Sequence, residues 1–174
     1  MNRRTAITAS ILSLAGAASF LRTGSNNQAI AMKKELQLDP HPTTIEPFTL
    51  DAAEWKMRLA EEAFYVLRKE GTERPFTSEL NDEKRKGEYA CAACDLVLFT
   101  SDQKFDSGTG WPSFWDKIDP HVETKIDFKL ILPRTEYHCA RCGGHQGHVF
   151  KDGPKPTGLR YCNNGVALKF VPAA

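Results

Sequence analysis

Glu88-Tyr89-Ala90-Cys91-Ala92-Ala93-Cys94 is echoed further along the chain by Glu136-Tyr137-His138-Cys139-Ala140-Arg141-Cys142. Each copy reads as a strand running into a Cys-x-x-Cys turn. Such a turn puts two thiolates on one side of the chain with backbone N–H groups aimed at sulfur, and two turns complete a tetrahedral four-sulfur site. The 44 residues between Cys94 and Cys139 exceed the commonest zinc-ribbon loop, so the likeness of the two knuckles carries the inference more than their spacing does. Covalent haem needs a histidine directly after the second cysteine, and Asp95 and Gly143 stand there. A redox dithiol needs only one pair in a thioredoxin-like βαβ setting, which the pattern lacks. Two disulfides in an oxidising compartment are the main rival, and a four-sulfur iron site a lesser one. Structural zinc on Cys91, Cys94, Cys139 and Cys142 is favoured, because four thiolates close a tetrahedral site. A closed site leaves no ligand position for a substrate, so any chemistry belongs elsewhere.

Outward from the knuckles, the chain after Pro75 consists of short extended pieces. Leu96 to Thr100, Val122 to Phe128, Lys129 to Leu132, Leu159 to Cys162 and Val166 to Val171 are strand-like and separated by Gly, Pro, Asp and Asn. Before them, Thr49, a plausible N-cap, opens a run to Lys69 free of Gly and Pro. Trp55, Leu59, Ala63, Val66 and Leu67 recur there at helical spacing until Gly71. This predicts one long helix, or two abutting ones with a break near Ala60, with the aromatics Trp55, Phe64 and Tyr65 packed in the core. The expected fold is α+β and mainly β: a small antiparallel β-domain with an N-terminal helical cap.

The ends of the chain read differently. Residues 32–47 carry Pro40, Pro42 and Pro47 among polar neighbours and are expected to form a linker, with the domain spanning 48–174. Residues 1–31 contain Arg3, Arg4 and Arg22 and no acid, a mildly apolar stretch from Thr5 to Leu21, and Ala29-Ile30-Ala31. That is the composition of an export signal of the twin-arginine type, cut after Ala31. A general secretory signal and an organelle transit peptide are the alternatives. The apolar stretch is too diluted by Thr, Ser and Gly for a membrane span, so the expected location is exported and periplasmic, with no membrane association after cleavage.

Composition bounds the function classes. With 41% hydrophobic and 26% charged residues in 174, the chain is neither disordered nor a polytopic membrane protein. A net charge of +1 offers no basic stripe for nucleic acid. The five cysteines are an odd count, so once the two pairs are assigned Cys162 stands alone. Buried cysteines are usually small hydrophobes, but strand alternation places Arg160 and Cys162 on one face, where the guanidinium favours the thiolate, and Asn164 continues that face. His145, His148 and Asp152 lie just upstream, and proton handling suits them better than ligation because the cysteines already account for a metal. Gly108-Thr109-Gly110-Trp111-Pro112-Ser113-Phe114-Trp115 suits a rigid aromatic wall, although two loop tryptophans can equally be core residues. A zinc-ribbon binding module without catalysis, with Cys162 in its core, is the alternative from another class.

Taken together, Gly71-Thr72-Glu73-Arg74-Pro75-Phe76, the two Cys-x-x-Cys pairs, Lys104-Phe105-Asp106-Ser107-Gly108-Thr109-Gly110-Trp111-Pro112-Ser113-Phe114, Arg134-Thr135-Glu136, Gly147-His148-Val149-Phe150 and Gly158-Leu159-Arg160-Tyr161-Cys162 resemble the B-class peptide-methionine (R)-S-oxide reductases. The resemblance runs from about residue 50 to 170. It implies a twisted antiparallel β-barrel-like domain, zinc on the four paired cysteines and a nucleophile at Cys162. Trp111 would wall the pocket for the sulfoxide methyl group and Phe150 would complete that wall. His148 and Asn164 would hold and help protonate the oxygen, with His145, Asp152 and Arg160 tuning them. It implies reduction of the R epimer of methionine sulfoxide in oxidised proteins or peptides by a monomer, with Cys162 sulfenic acid as the immediate product.

Two positions depart from that family. Thr109 stands where many members carry a resolving cysteine, so the sulfenic acid must be reduced by an external thiol, from a thioredoxin-like or another reductant. Asn163 follows the nucleophile where an apolar residue is common, and is expected to face away from the pocket with little effect.

Overall fold

The computed structural model describes residues 38–128 and 132–174. The export-signal reading of residues 1–31 and most of the strand expected at Lys129–Leu132 lie outside them, and Leu132 itself sits in a bend. Residues 38–47 contain no helix or strand, and Leu38 and Ile45 pack against the core. No helix among the described residues is long and apolar enough to cross a membrane.

Two short helices follow, α1 (Ala52–Arg58) and α2 (Glu61–Lys69). The break falls at Leu59 and Ala60, both extended, next to the position read from the sequence. The start is corrected from Thr49 to Asp51. One Asp51 carboxylate oxygen accepts the N–H groups of Ala53 and Glu54 at 2.8 Å, and Glu54 accepts the Asp51 N–H in return, a reciprocal cap that Thr49, with Ala52 three residues on, has no partner to form. Glu70 ends α2 in the left-handed region at φ 52°. Trp55 and Phe64 are buried as expected, whereas Tyr65 is 54% exposed, because the buried face of α2 is the one carrying Phe64 and Leu67.

Nine strands follow among the described residues: β1 (Gly87–Cys91), β2 (Val97–Thr100), β3 (Lys104–Phe105), β4 (Ser113–Phe114), β5 (Val122–Asp127), β6 (Arg134–Cys139), β7 (His145–Phe150), β8 (Arg160–Asn163) and β9 (Leu168–Pro172). They form a three-stranded sheet in the order β2-β1-β9 and a six-stranded sheet in the order β3-β4-β8-β7-β6-β5. Every described pairing is antiparallel. The barrel-like expectation is corrected here, since the two sheets do not close on each other. The aromatic core fills the space, with Phe99 stacked on Phe114 at 4.1 Å and Tyr137 edge-on to Tyr161 at 5.3 Å.

The four knuckle sulfurs meet at one place, all within 4.8 Å of one another and buried. Cys91 and Cys142 sulfurs are 3.7 Å apart, and Cys94 and Cys139 sulfurs 3.5 Å. Zinc–sulfur bonds of about 2.3 Å at tetrahedral angles demand sulfur–sulfur edges of about 3.8 Å, whereas a disulfide needs about 2.0 Å. All four thiols are free, so the cluster fits a metal ion and not two disulfides. Arg68 donates to the Cys142 sulfur at 3.1 Å and Gln146 to the Cys91 sulfur at 3.3 Å, compensating charge on thiolate ligands.

Candidate functional site

Cys162 lies on β8 between two strands, opposite His148 of β7 on one side and Ser113 of β4 on the other. The close approach of β7 requires glycine at 147, where a Cβ would fall 1.9 Å from the Cys162 carbonyl oxygen. Half-buried, Cys162 opens on a cavity of about 110 Å³ whose wall includes Trp111, Arg134, His148, Phe150 and Asn164. That volume suits a group the size of a methyl sulfoxide. Trp111 thus belongs to the pocket wall, deciding a point the sequence left even.

Strand alternation puts Arg160 beside the thiol as expected. Its guanidinium is fixed by a bidentate pair with Asp152, both bonds 2.9 Å, and lies over the Phe150 ring at 4.4 Å. The pair holds the Asp152 carboxyl below its usual range. The expectation of a thiolate favoured by this cation needs correction for the resting protein. Burial pushes the Cys162 thiol up from 9.0, and the opposing pull of Arg160 and of a hydrogen bond with Thr109 does not overcome it. Ser107 links the Thr109 hydroxyl to that of Ser113, each step 2.8 Å.

A thiol displaced upward is less ionised at neutral pH than free cysteine, so its reactivity rises with pH. Iodoacetamide alkylation of Cys162 is expected to climb through pH 8 and past pH 9 without a plateau. Thr109→Val, which deletes a bond that lowers the thiol, should slow it roughly two- to fivefold at pH 8. A plateau reached below pH 8 contradicts the assignment.

His148 Nε2 is 2.9 Å from an Asp127 carboxylate oxygen, and Arg134 donates to that same oxygen at 2.6 Å. Burial lowers the His148 imidazole and Asp127 only partly opposes it, so the ring is neutral at pH 7. His145 does not line the cavity beside Cys162. Its Nδ1 is 2.7 Å from Glu136, and with His148 it borders a second cavity of about 310 Å³. Burial would raise Glu136, but hydrogen bonds from His138, His145 and Lys125 outweigh it and hold the carboxyl well below the usual range.

Asn164 is anchored at both ends, its Nδ2 donating to the Gln146 carbonyl at 2.8 Å and its Oδ1 accepting the Glu73 N–H at 3.0 Å. One amide hydrogen is left over. Asn163 borders the cavity, yet its side chain is fully buried, accepting from the Tyr137 hydroxyl at 2.6 Å and donating to the Asn164 carbonyl at 2.7 Å. The expectation of little effect gives way: an apolar residue there would strand a buried hydroxyl.

Nothing in the sequence alone marks Asp127, Gln146 and Glu73 as site residues. Asp127 sits in an alternating strand where it resembles an ordinary surface acid, and only its cross-strand partner Arg134 hints otherwise. Gln146 hides between two histidines, and Glu73 lies in a segment with no periodicity.

A family model described as the SelR domain matches residues 59–172. The "Peptide methionine sulfoxide reductase B1, chloroplastic" of Arabidopsis thaliana is 53% identical over 122 residues, 70% of this chain and 60% of that protein. The "Peptide methionine sulfoxide reductase MsrB" of Methanosarcina barkeri is 56% identical over 118 residues, 67% of this chain and 83% of its own. Its namesake in Thiobacillus denitrificans is 50% identical over 131 residues, 75% of this chain and 98% of its own. The matched region thus spans about three fifths of the Arabidopsis protein and nearly all of the Thiobacillus one.

Proposed function

The chain belongs to the SelR-domain family of peptide-methionine (R)-S-oxide reductases, and we propose that it reduces the R epimer of methionine sulfoxide in proteins or peptides with Cys162 as nucleophile. The observation that carries this reading is Cys162 facing His148 across β7 and β8 at a small cavity walled by Trp111 and Phe150.

In the proposed reaction the Cys162 sulfur attacks the sulfoxide sulfur while the thiol proton moves to the oxygen. His148, oriented by Asp127, stands beside that transfer, and the spare amide hydrogen of Asn164 completes the oxygen's surroundings. The sulfoxide S–O bond breaks as oxygen passes to Cys162, leaving methionine and Cys162 sulfenic acid. One external thiol condenses with the sulfenic acid, releasing water and forming a mixed disulfide. A second thiol displaces it, so two thiols leave as a disulfide and Cys162 is restored. Trp111 and Phe150 would admit the methyl group on one side only, which selects the epimer.

Cys91, Cys94, Cys139 and Cys142 would hold zinc, which contributes folding energy and no chemical step. Oxidised polypeptides are the proposed substrates and a thioredoxin-like or other small thiol the reductant. Export of residues 32–174 to the periplasm is part of the proposal and rests on Arg3-Arg4 and Ala29-Ile30-Ala31 alone.

The test is incubation with a peptide carrying each epimer separately, in excess dithiol. Consumption of the R form alone supports the reading, and loss of the S form or of neither defeats it.

A single turnover should leave a sulfenic acid that dimedone traps, with no intramolecular disulfide. Because the Thr109 side chain is close enough to lower the Cys162 thiol, Thr109→Cys should convert most of the oxidised product into a 109–162 disulfide visible on peptide mapping. A disulfide between Cys162 and a knuckle cysteine in the unmutated protein would contradict the single-cysteine route.

A further inference from the structure

Between α2 and β1 the chain borders the pocket at Thr72 and is followed by Glu73, a carboxylate only 3% exposed. Among the described residues it has no cationic partner. Its two oxygens accept the N–H groups of Gly165 and Val166, the latter at 3.0 Å, at the start of a 3-10 turn, Gly165–Ala167, that has Asn164 as its N-cap. The backbone of the same residue faces the pocket twice. Its N–H donates to Asn164 Oδ1 at 3.0 Å, and its carbonyl accepts the Trp111 indole N–H at 3.2 Å. One residue therefore ties together the turn behind Asn164, the Asn164 side chain and the Trp111 ring.

A buried carboxylate without a cation is costly to keep. Burial pushes its pKa up against the opposing pull of the two backbone N–H groups, and what the ionised group supplies is geometric. It is acceptor-only at both oxygens, so it matches two N–H groups side by side as no neutral side chain of its length does. Glutamine would turn an NH₂ toward one of those N–H groups, and aspartate would be one methylene short of the turn.

We propose that Glu73 is a positioning residue for the reductase reaction, clamping Asn164 and Trp111 at the separation that holds the sulfoxide oxygen and methyl group. The inference rests on the assignment of this cavity to the sulfoxide. Glu73 touches neither Cys162 nor the reacting atoms. It acts through Asn164 and Trp111, so removing Asn164 must remove the share of its effect that runs through Asn164.

The experiment is a double-mutant cycle on the zinc-loaded full chain with an R-sulfoxide peptide, combining Glu73→Gln with Asn164→Ala. Glu73→Gln is expected to lower kcat/KM at least tenfold in the parent and by at most about a third of that factor in the Asn164→Ala background, where only the Trp111 route remains. A residue that serves stability alone would lower the melting temperature and act independently of Asn164. Val166→Pro is the second arm. It deletes one of the two donated N–H groups within the first turn of a helix, where proline is tolerated, and keeps the carboxylate. It should show the same dependence on Asn164. Equal effects of either variant in both backgrounds, or unchanged kinetics in a folded variant, overturn the proposal. If neither variant folds with metal bound, Glu73 is a stability residue and the proposal likewise falls. If the parent fails on the R epimer, or Asn164→Ala costs nothing, the pocket assignment itself has failed and takes the clamp with it. A working parent with an additive cycle removes the clamp alone.

Discussion

Cys162→Ser is expected to abolish reduction of methionine-R-sulfoxide, by roughly a thousandfold or more, while zinc content and melting temperature stay within error of the parent. The loss is large because serine fails at two steps. Its hydroxyl is far less ionised than even the burial-raised thiol, and acceptance of the sulfoxide oxygen would require an O–O bond in place of a sulfenic acid. Stability is spared because the substitution is nearly isosteric at a half-buried position and because the nucleophile lies outside the sulfur cluster, which comprises Cys91, Cys94, Cys139 and Cys142. Initial rates on the R-sulfoxide peptide, with metal analysis of the same sample, make the check. Retention of a tenth of the parent rate would remove Cys162 from the chemistry.

Cys91→Ser should do the reverse, acting on the fold first. Cys91 is wholly buried at the end of β1, its N–H donating to Leu96 at 2.8 Å and its carbonyl accepting from Asp95 at 2.9 Å. Its sulfur faces Cys142 from the second knuckle and accepts from Gln146 of β7. The cluster thereby joins the smaller sheet to the larger one. In a domain whose sheets do not close into a barrel, that junction substitutes for the missing ladder. Binding free energy at a structural metal is folding free energy, on the order of 10 kcal/mol for a complete site, and losing one of four thiolates forfeits a large part of it. Loss of bound metal and a fall in Tm of roughly 10 °C or more are expected. A strong chelator should bring the parent down toward the variant and leave the variant unmoved. A variant that melts with the parent would show that the sulfurs are not a metal site.

Much of the site could be read from residue order. The two knuckles, the helix break near Ala60, the strand face shared by Arg160 and Cys162, and the aromatic Gly108–Trp115 loop depend on contacts a few residues apart or on local alternation. These are properties that spacing encodes. Thr109 in place of a thiol is equally visible in the sequence. The parts that escaped were those in which a side chain takes its meaning from a distant strand. Asp127 looks like a solvated acid until β6 brings Arg134 opposite it and β7 brings His148 within 2.9 Å. Tyr65 fits a helical core pattern, yet the orientation of α2 leaves it in solvent.

By itself, then, the order of residues determined a mainly antiparallel domain with a four-sulfur cluster and one cysteine outside it, since period, turn chemistry and motif spacing are local. Tertiary structure alone decided that the sheets stay open, that His145 belongs to a neighbouring cavity, that Glu73 reaches under Asn164, and that Cys162 rests as a thiol. Each of these is a sum over groups far apart in the chain. Desolvation makes the point for Cys162. Arg160 is two residues away and visible in the sequence, but the burial that outweighs it comes from neighbouring segments that only folding assembles around the sulfur.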